Sequence, residues 1–275
     1  MKTQAQKAAD FAELHEQGCF VIPNPWDRGS ARLLAALEFK ALTTTSSGYA
    51  RSMGVRDYNA GRDNVLAHVW QLATATDLPL AADLENGFGH RPEDCAETIR
   101  LGAEAGLVGG SIEDATGNAD APIYSLGEAA DRIRAAAEAA RALPFKFMLV
   151  ARCENFLHGR RDLADTIARL QAYQEAGADV LFAPGANAPE DIKAICAAID
   201  RPLNVIGGVG PSPLSVAELG ALGVRRISVG GMLHTAAMTG FLSAARQLAE
   251  GQFGFVSGLT SGSAFDQLLE AGAAK

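Results

Sequence analysis

Eight short apolar runs with β character recur along the chain, separated by alanine- and leucine-rich stretches long enough for helices. The runs cover 19–26, 41–47, 78–84, 107–113, 147–153, 179–183, 203–208 and 225–230. The helical stretches cover 27–38, 61–77, 91–105, 125–143, 160–176, 189–199 and 213–222. A strand that returns to its neighbour through a helix must lie parallel to it. A length of 275 residues admits one large barrel or two modest domains. Eight strand–helix repeats with no linker predict a single TIM-type (β/α)8 barrel over 1–275. Helix exits are expected at 103–106, 176–179 and 221–223, where glycine relieves the cap geometry. After the last strand, Leu233–Glu250 supplies the eighth helix, and 251–275 is a C-terminal extension with a surplus helix near 262–272. Phe253, Phe255 and Leu268 are candidate anchors for that extension, within the chain or on another subunit.

Composition narrows the partners. The 24 basic and 32 acidic residues give a net charge of −8 with no long run of one sign, which argues against nucleic acid and anionic membranes. No apolar signal segment or bilayer-length stretch is present, so a cytoplasmic location is expected. Cys19, Cys95, Cys153 and Cys196 form no CxxC pair and read as reduced thiols. Alternation turns Cys153 away from the face of Arg152.

Charged and polar residues gather where three β runs end. Asp83 and Glu85 follow the third, Ser111, Glu113 and Asp114 end the fourth, and Arg152 and Glu154 end the fifth. Carboxylates are costly beside apolar strands unless paired or cation-bound. In a parallel barrel these ends form one mouth, so a single shared polar site is expected. Residues two apart in a strand share a face, which pairs Asp83 with Glu85, Ser111 with Glu113 and Arg152 with Glu154. Hard oxygen donors of this kind suit magnesium or manganese. A small anionic substrate and a divalent metal are the resulting expectation.

In order along the chain, several phrases resemble the isocitrate lyase and phosphoenolpyruvate mutase superfamily. They are Asn24-Pro25-Trp26-Asp27, Ser30-Ala31-Arg32-Leu33, Thr45-Ser46-Ser47-Gly48-Tyr49-Ala50, Gly54-Val55-Arg56-Asp57, Ala82-Asp83-Leu84-Glu85-Asn86-Gly87-Phe88-Gly89, Ser111-Ile112-Glu113-Asp114 and Ala151-Arg152-Cys153-Glu154. The resemblance implies magnesium-assisted chemistry on a small 2-oxo acid or its enolate, making or breaking a C–C bond or, in the mutase branch, a P–C bond. It assigns Asp83 as the central metal-binding aspartate, with Glu85 and Glu113 acting directly or through water. Asp57 corresponds to the acid at the substrate entrance. Ser46, Ser47, Gly48 and Tyr49 correspond to the turn whose backbone binds substrate oxygens, and Arg152 neutralises a carboxylate. A homo-oligomer is also implied, often a tetramer with exchanged terminal helices.

Departures from that pattern shape the reaction expected. Isocitrate and methylisocitrate lyases carry a Lys-Lys-Cys-Gly-His signature after this glutamate strand, whereas residues 113–122 contain no lysine, cysteine or histidine. Ordinary isocitrate cleavage is therefore not expected. The lysine-rich gate of the phosphonate mutases is also missing, with only Asn118 as a loose counterpart. Lys40 and Lys146 precede their strands and lie at the wrong mouth for a Schiff base. The leading expectation is a magnesium-dependent lyase or decarboxylase for oxaloacetate or a malate-like acid. Phosphonate C–P hydrolysis or rearrangement is one alternative, and a non-catalytic 2-oxo-acid-binding protein is another.

Other residues carry weaker signals. Asn204 is expected to contact substrate from strand seven or to satisfy the barrel interior. Gly207-Gly208-Val209-Gly210 lacks the third glycine of a dinucleotide fingerprint. His234 lies near the active mouth as a proton carrier or a helix-start residue, and Trp26 and Phe88 are candidate pocket walls or core aromatics. Segment 115–123 reads as a lid or a plain crossover, and Tyr124 as a lid-following or scaffold aromatic.

Overall fold

Strands buried on both faces need helices on one side and a filled lumen on the other, and the computed structural model shows this over residues 2–210 and 212–273. The strands are β1 (Phe20–Ile22), β2 (Leu42–Thr43), β3 (Leu80–Asp83), β4 (Gly109–Glu113), β5 (Met148–Arg152), β6 (Val180–Phe182), β7 (Leu203–Ile206) and β8 (Arg226–Ser228). The helices are α1 (Gln4–Glu13), α2 (Arg28–Ala36), α3 (Ser46–Ser52), α4 (Arg62–Ala73), α5 (Pro92–Glu104), α6 (Leu126–Arg141), α7 (Leu163–Ala176), α8 (Pro189–Ala198), α9 (Val216–Ala221), α10 (Met232–Ala249) and α11 (Gly262–Ala273). All neighbouring strands pair in parallel in the order β1-β8-β7-β6-β5-β4-β3-β2. Between β1 and β2 the barrel is drawn together by the Thr43 N–H donating to the Pro23 carbonyl at 3.1 Å. The eight expected strands and the expected barrel are all present.

Alternation divides the strands between two apolar cores. Ile112, Leu149, Ala151, Leu181, Val205 and Ile227 face the helices, while Ile22, Ala81, Met148, Val150, Val180 and Phe182 fill the lumen. Helix α1, which the sequence reading omitted, belongs to the lumen core. Its Phe11 is fully buried there beside Ala8, a burial that contributes roughly 1.5–3 kcal/mol. Lys7, Ala8 and Phe11 are the buried residues of α1, and a lysine and an alanine in that set leave Phe11 as its one large apolar marker. The Lys7 ammonium satisfies itself on the carbonyls of Ala73 and Thr76, at 3.2 and 2.8 Å.

The three expected helix exits occur as read, with Gly106, Gly177 and Gly223 at φ of +106°, +110° and +103°. These are left-handed values at which a side chain would be strained. One boundary differs. The second β run was read through residue 47, but the strand stops at Thr43 and a helix starts at Ser46, because the Thr45 side chain caps it by accepting from the Gly48 N–H. At the other end of the chain, α11 packs along α2 of the same chain, and the last two residues of the 251–275 extension lie outside the described residues. Among the described residues, no helix is long and apolar enough to cross a membrane.

Candidate active site

Strands β3, β4 and β5 end in Asp83, Glu113 and Arg152, and pairing aligns Glu113 directly with Arg152. The Arg152 guanidinium becomes the hub of the mouth. Its Nη1 lies 3.4 Å from Glu113 Oε2 and 3.6 Å from Asp83 Oδ2, and its Nε donates to Glu154 Oε1. Burial works against this charge, but Glu154, Glu113 and Asp83 overcome it and hold the proton more firmly than usual.

Asp83 is oriented from three directions. Its Oδ2 accepts from the Ser46 hydroxyl at 2.8 Å and the Ser46 N–H at 3.4 Å, its own N–H donates to Thr44 Oγ1 at 3.1 Å, and its Oδ1 accepts from the Glu85 N–H at 3.3 Å. Ser46 and Ser47 open α3 and line the same cavity. Gly48 is needed for the cap, since a Cβ there would sit 2.5 Å from Thr45 Cγ2. Tyr49 does not join this cavity. Its N–H donates within the helix to Thr45 O, its ring stacks on His68 at 3.8 Å, and its hydroxyl donates to Asn64 O at 3.1 Å. The Gly48 N–H is likewise committed to Thr45 Oγ1 at 3.2 Å and the Ser46 N–H to Asp83 Oδ2 at 3.4 Å, and of the four expected residues Ser46 and Ser47 line the cavity wall.

Glu85 reaches the acid cluster by a route that alternation did not predict. The strand ends at Asp83, and Glu85 adopts a left-handed φ of +50°. Burial, then Asp83, then Asp57 push its carboxyl up to about 8. Its Oε1 is buried with no hydrogen-bond partner. Asp57 is raised as well, first by burial and then by Asp83, with a Ser46 contact opposing. Glu113 is raised well above its ordinary value, burial outweighing the opposing charge of Arg152.

Two supporting groups were not singled out in the sequence. Tyr58, at φ +65°, donates its hydroxyl to Glu113 Oε1. No periodicity marks it, because it lies in a loop. Asp114, read as a strand-end acid but given no role of its own, is 3% exposed and accepts from Tyr173 OH at 2.6 Å, the Glu154 N–H at 2.8 Å and Arg169 Nη1 at 3.1 Å. That buried network fixes the loop after β5 and so the position of Glu154.

The enclosed space is a cavity of about 260 Å³ lined by Ser46, Ser47, Asp57, Asp83, Ser111, Arg152 and, deeper, by Phe182, Asn204, Arg226 and Ser228. Asn204 is buried on its wall and donates to Ser228 Oγ at 3.0 Å. Neither Trp26 nor Phe88 lines it. Trp26 meets the His234 ring edge-on at 5.3 Å, and Phe88 lines a neighbouring groove of about 850 Å³ with Tyr58, Glu85, Thr116 and Gly117. His234 is buried with Nδ1 unpartnered, near Gly48 but outside the cavity lining. The 115–123 segment is closed on itself by the Ala115–Ile123 bridge and a 2.9 Å bond from the Thr116 N–H to Pro122 O. Tyr124 joins the scaffold, with His90 Nδ1 2.6 Å from its hydroxyl and the Arg132 guanidinium over its ring.

Among the described residues, no three His, Cys, Asp or Glu side chains converge on one metal point. Asp83, Glu85 and Glu113 therefore do not form a closed cage. Asp83 lines the cavity, with Glu85 and Glu113 buried behind it. One direct carboxylate with acids at water-bridging range is how magnesium is commonly held. The unpartnered Glu85 Oε1, and the raising of both Asp57 and Glu85 by burial and then by Asp83, fit a cation brought near them.

The pattern of the family described as phosphoenolpyruvate phosphomutase matches residues 11–249. The chain belongs to this family. A Burkholderia cenocepacia J2315 structure, provisionally described as a lyase/mutase, shares 55% identity and a TM-score of 0.95, covering 97% of each chain. The chain is also similar to proteins of named activity. A 2-methylisocitrate lyase of Escherichia coli is 32% identical over 179 residues, 62% of this chain and 59% of that protein. The structure of an oxaloacetate acetylhydrolase in complex with its product oxalate shares 28% identity with a TM-score of 0.85, covering 98% of this chain and 95% of that one. The superfamily and barrel expected from sequence agree with these findings, and relatives that cleave small carboxylic acids stand on the lyase side of the expectation.

Proposed function

We propose that this chain is a magnesium-dependent lyase or decarboxylase that acts through an enolate on a small 2-oxo acid or malate-like carboxylic acid. The observation that carries the reading is the meeting of Arg152 with Asp83, 3.6 Å apart, on the wall of a 260 Å³ cavity. That volume suits a compact acid, and the wall carries a fixed cation beside a fixed carboxylate. Magnesium, or manganese in its place, held by Asp83 with Glu85 and Glu113 directly or through water, would supply Lewis-acid polarisation of a carbonyl.

The protein's own groups do the rest. Arg152 neutralises the substrate carboxylate and is kept charged by three acids, so its field is in place before negative charge develops on the substrate. Ser46 and Ser47 orient the acid end of the substrate, Asp57 stands at the entrance, and Asn204 holds a polar group on the wall. Oxaloacetate is favoured as substrate, in keeping with the acetylhydrolase relative. The absence of lysine, cysteine and histidine from 113–122 points away from isocitrate itself. Phosphonate C–P chemistry is the second reading, supported by the family description.

The protein is further read as cytoplasmic and as a homo-oligomer, in the form of a tetramer. The exposed Phe241, Leu242 and Leu248 of α10, with Phe253, Val256 and Leu259 beyond it, give an apolar surface suited to self-association. Within one chain α11 packs along α2, so an exchange of α11 between subunits would carry this same contact onto a partner's α2.

The test is mass-resolved turnover of oxaloacetate, 2-methylisocitrate, isocitrate and phosphonopyruvate, with magnesium and with chelator, against uncatalysed controls. Metal-dependent cleavage of oxaloacetate or a malate-like acid is expected. Turnover of phosphonopyruvate alone would replace the lyase reading with the phosphonate one, and no turnover of any of the four would overturn both.

A further inference from the structure

Arg226 is the anomaly of the lumen. It is 4% exposed, it sits on the inward face of β8, and its Nε and Nη1 have no hydrogen-bond partner. No carboxylate among the described residues offsets it: burial alone draws its basicity down, to about 9. The titratable ring that feels its charge is His15, which burial and then Arg226 keep neutral, at about 3. The Phe11 ring lies 5.8 Å from the guanidinium, beneath it. A buried cation without a counter-charge is costly, and native chains retain one where a ligand or a hidden partner completes it.

The neighbouring strand offers a second incomplete group. Pairing sets Asn204 directly beside Arg226. One end of the Asn204 amide bonds to Ser228 Oγ at 3.0 Å, and the other, Oδ1, is buried and unpartnered. The Ser228 hydroxyl, which donates to the Val205 carbonyl at 3.5 Å, can instead donate to Asn204 Oδ1, so a half-turn of the amide keeps the serine bond at the cost of that long one and presents NH2 to the open space. Both Arg226 and Asn204 line the cavity that holds Arg152 and Asp83 at its mouth.

We propose that Arg226 and Asn204 form a carboxylate subsite at the floor of the active-site cavity. The guanidinium matches a planar carboxylate through paired N–H donors, and the amide adds a third donor. The inference rests on the reading of the cavity as a site for small acids and extends it. A dicarboxylic acid would be gripped at both ends, by Arg152 above and Arg226 below. The same subsite would otherwise hold a separate small carboxylate beneath the substrate.

Calorimetric titration of the full chain with magnesium separates these sources, using succinate, its monoacid counterpart butyrate, and acetate. Wild type, Arg226→Met and Arg226→Lys are compared. If the floor binds the substrate's own second acid, Arg226→Met weakens succinate at least tenfold and butyrate less than twofold, and Arg226→Lys restores part of the loss. If it binds a separate acid, acetate binds without displacing succinate, and acetate is the ligand weakened at least tenfold. Loss of under twofold for all three ligands would overturn the subsite and leave water as its occupant.

Arg226→Met removes an unpaired buried charge, so its Tm is expected to equal or exceed that of wild type. Should it fail to fold, Asn204→Asp supplies an internal carboxylate to the guanidinium. That variant is expected to fold and to lose the tenfold response; full retention of it would overturn the proposal. Arg226-dependent binding without turnover would sink the catalytic reading alone, and turnover with Arg226-independent binding would sink the floor subsite alone.

Discussion

Tyr58 and Glu113 stand 55 residues apart in sequence, and the phenol donates its hydroxyl hydrogen directly to the Glu113 Oε1 at the end of β4. The other oxygen of the same carboxylate faces Arg152 at 3.4 Å. A loop residue and a strand-five cation thus hold one buried acid between them. Tyr58→Phe removes a donor from a carboxylate that is 3% exposed and is expected to destabilise the fold by about 1–3 kcal/mol. Urea unfolding checks it; a change below a few tenths of a kcal/mol would show that water replaces the phenol freely.

Asp83→Ala is expected to abolish the response to magnesium before it harms the fold. The side chain lines the cavity, is 17% exposed and accepts from Ser46, so its loss leaves the lumen core in place. Calorimetric magnesium binding and Tm with and without the ion report the two effects. An unaltered magnesium affinity would remove Asp83 from the ligand set.

Glu85 predicts a pH effect of definite sign. In the folded chain its carboxyl holds a proton up to about pH 8, against an ordinary value of 4.5. Between these values the folded state binds more protons than the unfolded one, so its contribution is complete below 4.5 and is lost as pH rises towards 8. In chelator, Glu85→Gln should flatten this decline and be the more stable protein at pH 8, by on the order of a few kcal/mol. His15 and His68, held at about 3 and about 4, act in the opposite sense, their contribution being lost as pH falls from 6.5. Denaturant midpoints of wild type and variant from pH 5 to 8.5 would decide, and parallel curves would refute the assignment.

Asp114→Asn tests the scaffold under the site. The carboxylate binds Arg169, Tyr173 and the Glu154 N–H in a buried network. Removing its charge leaves Arg169 with Asp165 as its remaining acid and is expected to cost about 3–5 kcal/mol. Activity on the preferred acid should fall with it, because Glu154 loses its anchor. A stable, fully active variant would show that the network is dispensable.

Much of this molecule was legible in advance because barrel strands are local patterns. The eight apolar runs, the glycine exits and the acids at strand ends need only neighbouring residues to be read. Helix α1 escaped because Phe11 is the one large apolar side chain it buries, and that burial depends on the lumen it enters. Tyr49 resembles a substrate-binding position in its motif, yet the Thr45 cap winds that segment into a helix and turns the ring onto His68. Arg226 carried a local signal, a basic residue within a buried strand, but its lack of a partner depends on what every other strand sends inward.

By itself the sequence determined the barrel, the family and the charged set at the mouth, since strand periodicity and motif order are properties of residues close along the chain. The tertiary structure decided which of those charges meet: that Arg152 serves Asp83, Glu113 and Glu154 together, that Glu85 joins by a left-handed turn, and that Arg226 stands alone below them. Electrostatic energy in a buried site depends on distances between side chains from different strands and on the water excluded among them, and these exist only once the barrel has closed.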